Sequence, residues 1–523
     1  MQASAWPRRK GMLLLASIVC SGLMASASAQ TLRMGSAGQP TLDPHFLLLD
    51  SNFAYNYHIF EALTGYAANG ETEPRLAQSW EILNDTRWRF KLREGVKFHD
   101  GTPFTADDVI YSFERVGELP NNPAPYTGYV ASIKSVHKVD DHTIEIETVR
   151  PNPLLARQLF GVAIVQKRTA ENSTTADFNS GKAAIGTGPY TFVSHTPGER
   201  LVFKRNNDYW GDTGDWEQVE FRLMPTAPAR MAALLAGEVD VIEGLSPNDA
   251  ATLKSNAKVQ VFTGPTLRVA HLAPNVKPPQ GGESKFADVR IRQALSLAIN
   301  RQALVDRILD GFGTVEGQIA APGMVGYDAS IKTPAYDPAQ ARKLLDEAGY
   351  KDDQAVQFHC PRGRYLNDVQ ICQGVAQMLA QAGFKVELEA LPPNVYFSRM
   401  TPLANPSDIG LFAWSTSEGD TYRTMAPLMH SYDKDRGLGA SNRAGIADAK
   451  LDKLIGDAGQ NMDPKSREQQ LREAMAYSME QHYLIPLYAQ NAIYAGTNDI
   501  KFDVGYAGWA DKFQAMKVKP AGK

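Results

Sequence analysis

Two short stretches hold most of the residues able to grip a small molecule. The first is Trp414-Ser415-Thr416-Ser417-Glu418-Gly419-Asp420-Thr421-Tyr422, which follows the apolar run Asp408 to Trp414. An apolar strand that ends in an indole and opens into carboxylates can wall a pocket. The ring packs on a ligand while Glu418 or Asp420 accepts from an amine. The second is Pro361-Arg362-Gly363-Arg364-Tyr365, after the strand-like run ending at Cys360. A guanidinium at a strand's carboxyl end, just before a helix, can pair with a ligand carboxylate. The competing readings are a surface loop with a core Trp, and a solvated Arg. Ser51, Asn52 and Phe53, between a first strand and a first helix, are less specific candidates, as are His271 and Asn275.

Signals for catalysis fail one by one. His99-Asp100 sits in a turn beside Gly101-Thr102-Pro103, where an Asp side chain caps turn backbone. Ser135 to Lys138 has S-x-x-K spacing, but it lies in an alternating strand with no K-T-G or S-D-N element. Gly311-Phe312-Gly313 with Gly317 misses the dinucleotide spacing and follows no strand. No Walker loop, H-E-x-x-H or G-x-S-x-G occurs, and the ten histidines show no metal-ligand spacing. The chain is read as non-enzymatic, with no cofactor and no metal.

The elements around these stretches can be taken in order. Thr31 to Ser36 alternates as a strand, and Asn52 to Leu63 has helical spacing. In Trp88 to Val116, WRFKLREGVKFHDGTPFTADDVIYSFERV, residues Trp88, Phe90 and Leu92 alternate with basic residues as a half-buried strand. Thr105 and Asp108 form a capping box, and Val109, Phe113 and Val116 define a helix packed back on that strand. Ile133 to Arg150 reads as a hairpin, and Thr191 to Ser194 with Leu201 to Lys204 as another. Val259 to Asn275 and Leu484 to Tyr494 are extended and apolar. Val289 to Leu309 reads as one helix, Asp368 to Ala382 as another, and Ser466 to His482 as a third. The strand-helix-strand order through Ala355, Gly383 and Leu391 argues an α/β domain.

With 523 residues, two or three domains are expected. Hydrophobic content of 43% and charged content of 21% are those of a soluble globular protein, and no run of one charge sign points to nucleic acid. Arg8, Arg9 and Lys10 precede the apolar run Met12 to Cys20, and Ala27-Ser28-Ala29 fits signal-peptide cleavage after Ala29. Anchoring through Cys20 is the alternative, disfavoured by Val19 where a small residue is wanted. The expected location is periplasmic. There an oxidising environment makes a Cys360–Cys372 disulfide available, and a helix packed on its own strand could bring the pair into range. The alternative is two small buried hydrophobes.

The stretch Trp88–Val116 resembles the signature segment of the periplasmic solute-binding proteins that serve peptide, nickel and opine ABC importers. Pro74-Arg75-Leu76-Ala77-Gln78-Ser79-Trp80, the block at Asn207-Asp208-Tyr209-Trp210-Gly211 and the arrangement from Gly237 to Ile242 resemble the same family. The resemblance implies an α/β two-lobed periplasmic binding protein (Venus-flytrap) fold with mixed sheets, two hinge strands and an extra domain inserted in the first lobe. The expected divisions are residues 1–29 as signal peptide; 30–74 with 186–265 and 490–523 as lobe I; 75–185 as the inserted domain; and 266–489 as lobe II. Hinge crossings are placed near 260–275 and 480–495.

The resemblance also implies a role. The chain is expected to be a monomeric receptor that closes over a short peptide or peptide-like solute and delivers it to an ABC permease and its ATPase. Other solutes, namely an opine, a glutathione-like compound or a nickel chelate, are the alternative; a periplasmic peptide hydrolase or a chaperone is the alternative of another class. Ser417 occupies the spacing at which dipeptide-binding relatives carry the aspartate that holds a ligand amine, with Glu418 and Asp420 nearby. Arg362 best fits the spacing of their carboxylate-binding arginine. The expected ligand contacts are Trp414, Ser417, Glu418, Asp420, Arg362, Tyr365, Tyr422, Asn52 and Phe53.

Overall fold

A computed structural model describes residues 30–67, 69–277, 281, 283–351, 355–402, 404–504 and 514–522. The expected signal peptide, the expected cleavage site and most of the Pro278–Gly282 segment lie outside the described residues. One mixed sheet of eleven strands organises the molecule. In spatial order it runs through Val386–Leu391, Val356–Pro361, Ile409–Trp414, Val259–Pro274, Ile485–Thr497, Val241–Ile242, Thr31–Ser36, Gln218–Leu223, Arg200–Arg205 and Tyr190–Thr196, with Gly313–Val315 pairing on Ile485–Thr497. The two longest strands, Val259–Pro274 and Ile485–Thr497, pair antiparallel at its middle. They cover the two crossings expected from sequence. Their register shifts between Pro265 and Val269, an irregularity that kinks a strand and re-aims its side chains.

Separate apolar clusters sit on either side of these strands. One gathers Leu32, Met34, Phe203 and Phe221 with Phe60 and Tyr190. On the other side Leu295, Leu304, Phe358, Ile371 and Leu411 form a second, and Tyr396, Met425, Leu451 and Met475 a third. A four-stranded antiparallel sheet, in order Ala77–Asn84, Arg87–Leu92, Thr143–Thr148 and Ile133–Asp140, stands apart. Trp88, Phe90 and Leu92 are buried beneath it with Val109, Phe113 and Val116 of the helix Ala106–Glu118. The Thr105–Asp108 capping box caps that helix. This cluster also takes in Phe53 and Leu63, upstream of residue 75.

Two helices differ from the sequence reading. The helix expected over Asn52–Leu63 covers Asp50–Asn56 only. Beyond it Ile59 and Phe60 enter one cluster while Leu63 enters another. A segment buried on several sides mimics helical spacing without being a helix. The helix expected over Val289–Leu309 is two, Val289–Leu297 and Arg301–Ile308. Asn300 interrupts the run, and its side chain accepts from the Ala303 amide at 2.9 Å as an N-cap.

Cys360 and Cys372 form a disulfide, with their Cα atoms 6.4 Å apart. It ties the strand Val356–Pro361 to the helix Asp368–Ala382 inside the second cluster. Closing a loop of 12 residues' separation removes unfolded-state freedom amounting to about 3 kcal/mol. Cys360→Ser/Cys372→Ser is expected to lose about that much in urea unfolding, and wild type under reductant should match it. A double variant as stable as the oxidised protein would show that the bond adds nothing.

Candidate functional site

The loop after Trp414 is built on the sheet's centre. Ile409–Trp414 pairs antiparallel with Val259–Pro274 and in parallel with Val356–Pro361, so its carboxyl end opens beside the register shift. Beyond it the chain turns sharply and starts the helix Tyr422–Leu428. The turn is fixed from within. The Thr416 hydroxyl accepts from the Gly419 amide at 3.0 Å, and Asp420 Oδ1 from the Tyr422 amide at 2.9 Å. Gly419 has φ +58°, a backbone region that favours glycine.

A cavity of about 390 Å³ lies against this loop. One wall is Tyr57, Glu61, Tyr66, Arg157 and Phe160, and Leu267, Gly323, Ser417 and Gly419 face them. Leu267 falls in the irregular stretch Pro265–Val269, and its neighbour Arg268 turns instead into a second cavity of about 220 Å³. Among the described residues, hydrogen bonds from Arg157 and Tyr129 cross between the walls of the larger cavity. The Arg157 guanidinium donates to the Glu418 carbonyl at 2.6 Å and to the Gly70 carbonyl at 2.8 Å, while stacking 4.9 Å over the Tyr66 ring. The Tyr129 hydroxyl donates to Ser417 Oγ at 3.3 Å.

Glu61 is the buried carboxylate of this cavity. It accepts from the Tyr209 hydroxyl at 2.8 Å, from Trp210 Nε1 at 2.8 Å and from the Thr187 hydroxyl at 2.9 Å. Burial raises its pKa despite these donors. Sequence reasoning missed Glu61, Arg157 and Tyr66. The available signal for Glu61 was a lone carboxylate in the otherwise apolar run Ile59-Phe60-Glu61-Ala62-Leu63.

The residues expected at the site divide into three groups. Ser417 lines the larger cavity, and its hydroxyl also donates to Glu418 Oε2 at 2.9 Å. Trp414 and Tyr365 line the smaller one together with His271. The rest are placed elsewhere. Asp420 is fully buried and forked by Arg467 at 2.7 and 3.0 Å, so its role is to hold the loop. Glu418 is buried and its carboxylate pairs with Arg423 at 2.9 Å. Tyr422 packs in the third cluster over Gly459.

Asn52 is buried with its amide donating to the Leu47 carbonyl and accepting from the Thr41 amide. Phe53 is core, against Tyr57, Tyr126 and Phe160. Asn275 is buried too, its amide directed at the Asn405 and Ser407 carbonyls. Arg362 is exposed and lines neither cavity; its amide continues the sheet edge by donating to the Leu391 carbonyl at 2.8 Å. Arg364, two residues on, lines the smaller cavity instead. The turn explains the exchange. The Asp368 carboxylate accepts from the amides of Gly363, Arg364 and Tyr365, and Gly363 has φ +85°. The chain wraps that carboxylate and carries the second arginine inward.

Comparison with known proteins agrees with this architecture. The profile of the bacterial extracellular solute-binding proteins, family 5 Middle, matches residues 71–436. The chain is 29% identical to heme-binding protein A of Haemophilus influenzae over 446 residues, covering 80% of this chain and 79% of that one. It is 28% identical to the dipeptide-binding protein of Escherichia coli over 510 residues, covering 91% and 92%. The structure of HbpA2 from Haemophilus parasuis superposes with a TM-score of 0.81 at 25% identity, covering 94% of this chain and 99% of that one.

Proposed function

This chain belongs to the bacterial extracellular solute-binding proteins of family 5, and on that premise we propose that it captures a short peptide or peptide-like solute in the 390 Å³ cavity and hands it to an ABC permease. One observation carries the reading: the cavity draws its walls from both sides of the paired strands, with Tyr66, Arg157 and Phe160 facing Ser417 and Gly419. Its volume falls in the range of small-ligand sites. The relative named for dipeptide binding spans almost the whole chain. Residues 30–74, 186–265 and 490–523 act as lobe I, 75–185 as its insertion and 266–489 as lobe II. The receptor works in the periplasm as a monomer after cleavage behind Ala29. A binding role without reaction on the solute is supported by Ser417, which is bonded to a carboxylate and a phenol rather than to an imidazole base, and among the described residues no histidine or cysteine lines the cavity.

Capture follows from contacts made to both walls at once. A solute held by Tyr66 and Phe160 on one side and the Ser417–Gly419 backbone on the other favours the closed arrangement, because only that arrangement offers both sets. The irregular stretch Pro265–Val269 is where the crossing strand can absorb the rotation. Arg157 latches the same state through the Glu418 carbonyl. Arg157→Ala is therefore expected to weaken solute binding about tenfold, the value of one charged hydrogen bond, with little change in Tm. Unchanged affinity by calorimetry would remove the latch.

Native mass spectrometry of the purified protein, before and after partial denaturation, tests the reading. A released mass matching a short peptide supports it. A released opine, glutathione-like compound or nickel chelate would replace the peptide, and a released heme would do the same.

A further inference from the structure

Glu61 lines the 390 Å³ cavity with only 7% of the residue exposed, and its carboxylate has an incomplete set of partners. The two oxygens together offer about four acceptor sites. Oε2 accepts from Trp210 Nε1 at 2.8 Å and from the Thr187 hydroxyl at 2.9 Å. Oε1 accepts from the Tyr209 hydroxyl at 2.8 Å and, among the described residues, keeps one site open. All three donors are neutral. Among the described residues no lysine, arginine or histidine forms an ion pair with Glu61. A buried carboxylate ordinarily has a cation beside it, because desolvating the charge alone is costly.

The basic residues of the lining do not fill that place. Arg75, whose charge acts on Glu61 from a distance, is bonded to Glu73 at 2.5 Å. Arg157 is engaged with the Glu418 and Gly70 carbonyls. Lys517 lines the cavity from the C-terminal segment without reaching Glu61. The other carboxylates near the solute differ from Glu61. Asp420 is forked by Arg467, and Glu418 pairs with Arg423, so the loop after Trp414 has none to offer an amine. Asp212 and Asp503 line the cavity but are exposed, where water balances their charge. Aromatic faces complete the chemistry: Tyr57, Tyr66 and Phe160 line the same cavity, and such rings attract an ammonium group.

We propose that Glu61 is the counter-ion for an ammonium group of the solute, the free amino terminus of a short peptide, which donates to Oε1 and completes the carboxylate's set of partners. The inference rests on the peptide reading above and narrows it to solutes that carry a free amine. Tyr209, Trp210 and Thr187 then act as positioning residues: they hold the carboxylate against the cavity without neutralising it.

Calorimetry on protein refolded from denaturant tests it with five probes: Ala-Phe, Ala-Ala, their amine-free counterparts N-propionyl-Phe and N-propionyl-Ala, and butylamine. A dipeptide should bind about tenfold or more tightly than its amine-free counterpart, as expected for a charged hydrogen bond, and Glu61→Gln should close that gap. Tyr209→Phe removes one donor from Oε1, leaves the carboxylate less compensated and should widen the gap; it reports even where Glu61→Gln fails to fold. Equal or tighter binding of the amine-free forms would overturn the ammonium inference and leave the peptide reading standing. A gap kept whole in folded Glu61→Gln, or one that does not widen in Tyr209→Phe, would remove Glu61 from the site. Binding of butylamine that Glu61→Gln abolishes, with neither dipeptide bound, would support the ammonium site and remove the peptide. Binding of none of the five would overturn both.

Discussion

Asp420→Ala is expected to lower the unfolding free energy by about 3–5 kcal/mol, the cost of stripping one partner from a buried ion pair. The Asp420 and Arg467 side chains are 0% and 5% exposed, and the fork between them closes at 2.7 and 3.0 Å. Without the carboxylate, the Ala458 carbonyl, 3.0 Å from Nε, is the one bonded partner Arg467 keeps among the described residues. A buried guanidinium in that position retains its charge and loses its compensation. The same substitution frees the Tyr422 amide, which Asp420 Oδ1 also accepts. The loop that carries Ser417 and Gly419 into the cavity therefore loosens, and solute affinity should fall further than in Ser417→Ala. Urea unfolding followed by tryptophan fluorescence gives the first quantity. Replacing both partners by leucine should recover part of the loss, since no charge is then stranded. A single variant within about 1 kcal/mol of wild type, the range of an exposed pair, would show that the pair is not buried in solution.

Arg115→Met should produce a loss of the same size, about 3–5 kcal/mol, at a site far along the chain from the first. Arg115 sits on the helix Ala106–Glu118 and forks Asp43 at 2.8 and 2.7 Å, with 5% and 0% of the two side chains exposed. Thr175 donates to the same carboxylate at 2.7 Å. The pair thus joins the signature helix to the turn after the first strand. Its pH dependence has a definite sign. Burial alone would push the Asp43 carboxyl up, but the hydrogen bonds and charge of Arg115 outweigh it and hold the pKa below the usual value. A carboxylate lowered in the folded state stabilises the fold above its unfolded pKa, and that contribution is lost as pH falls through the folded value. In Arg115→Met the Thr175 hydroxyl still donates to Asp43 but the hydrogen bonds and charge of Arg115 are gone, so burial weighs more, Asp43 takes up a proton earlier and the variant suffers less from acid. The gap between wild type and variant should shrink below about pH 4, near the carboxylate's unfolded pKa. A gap independent of pH would mean that lost packing on Phe178, 4.7 Å from the guanidinium, accounts for the effect.

These two ion pairs mark the limit of what sequence could show. Local pattern was readable wherever one element decides it. The alternation at Trp88, Phe90 and Leu92 and the Thr105–Asp108 box became the strand and capped helix expected. The helix Asp368–Ala382 begins and ends where its apolar spacing and Gly383 place it. Pairings across distance were not readable. Asp420 looked like a ligand carboxylate because its partner, Arg467, comes 47 residues later on a helix whose pattern says nothing of position 420. Arg362 and Arg364 differ by one glycine. Which of them faces a cavity depends on the φ of Gly363 and on Asp368 gathering the turn, neither of which periodicity records. Asn52 and Phe53 lie next to the segment that lines the larger cavity, but both are buried. The loop after Trp414 was legible in sequence as a candidate pocket wall; the residues that face it across the cavity, Glu61, Tyr66 and Arg157, were not, because they meet it only through the fold.

A short peptide is proposed to occupy the cavity between Tyr66, Arg157 and the Ser417–Gly419 loop. Titration calorimetry of a di- and tripeptide panel into refolded wild-type protein measures this directly. Saturable binding of at least one peptide at one site per chain is expected, with the negative heat-capacity change of apolar burial, and weaker binding of the same peptide to Arg157→Ala. A folded protein that binds no member of the panel, or one whose Arg157→Ala variant binds the same peptide with unchanged affinity and stoichiometry, would contradict it.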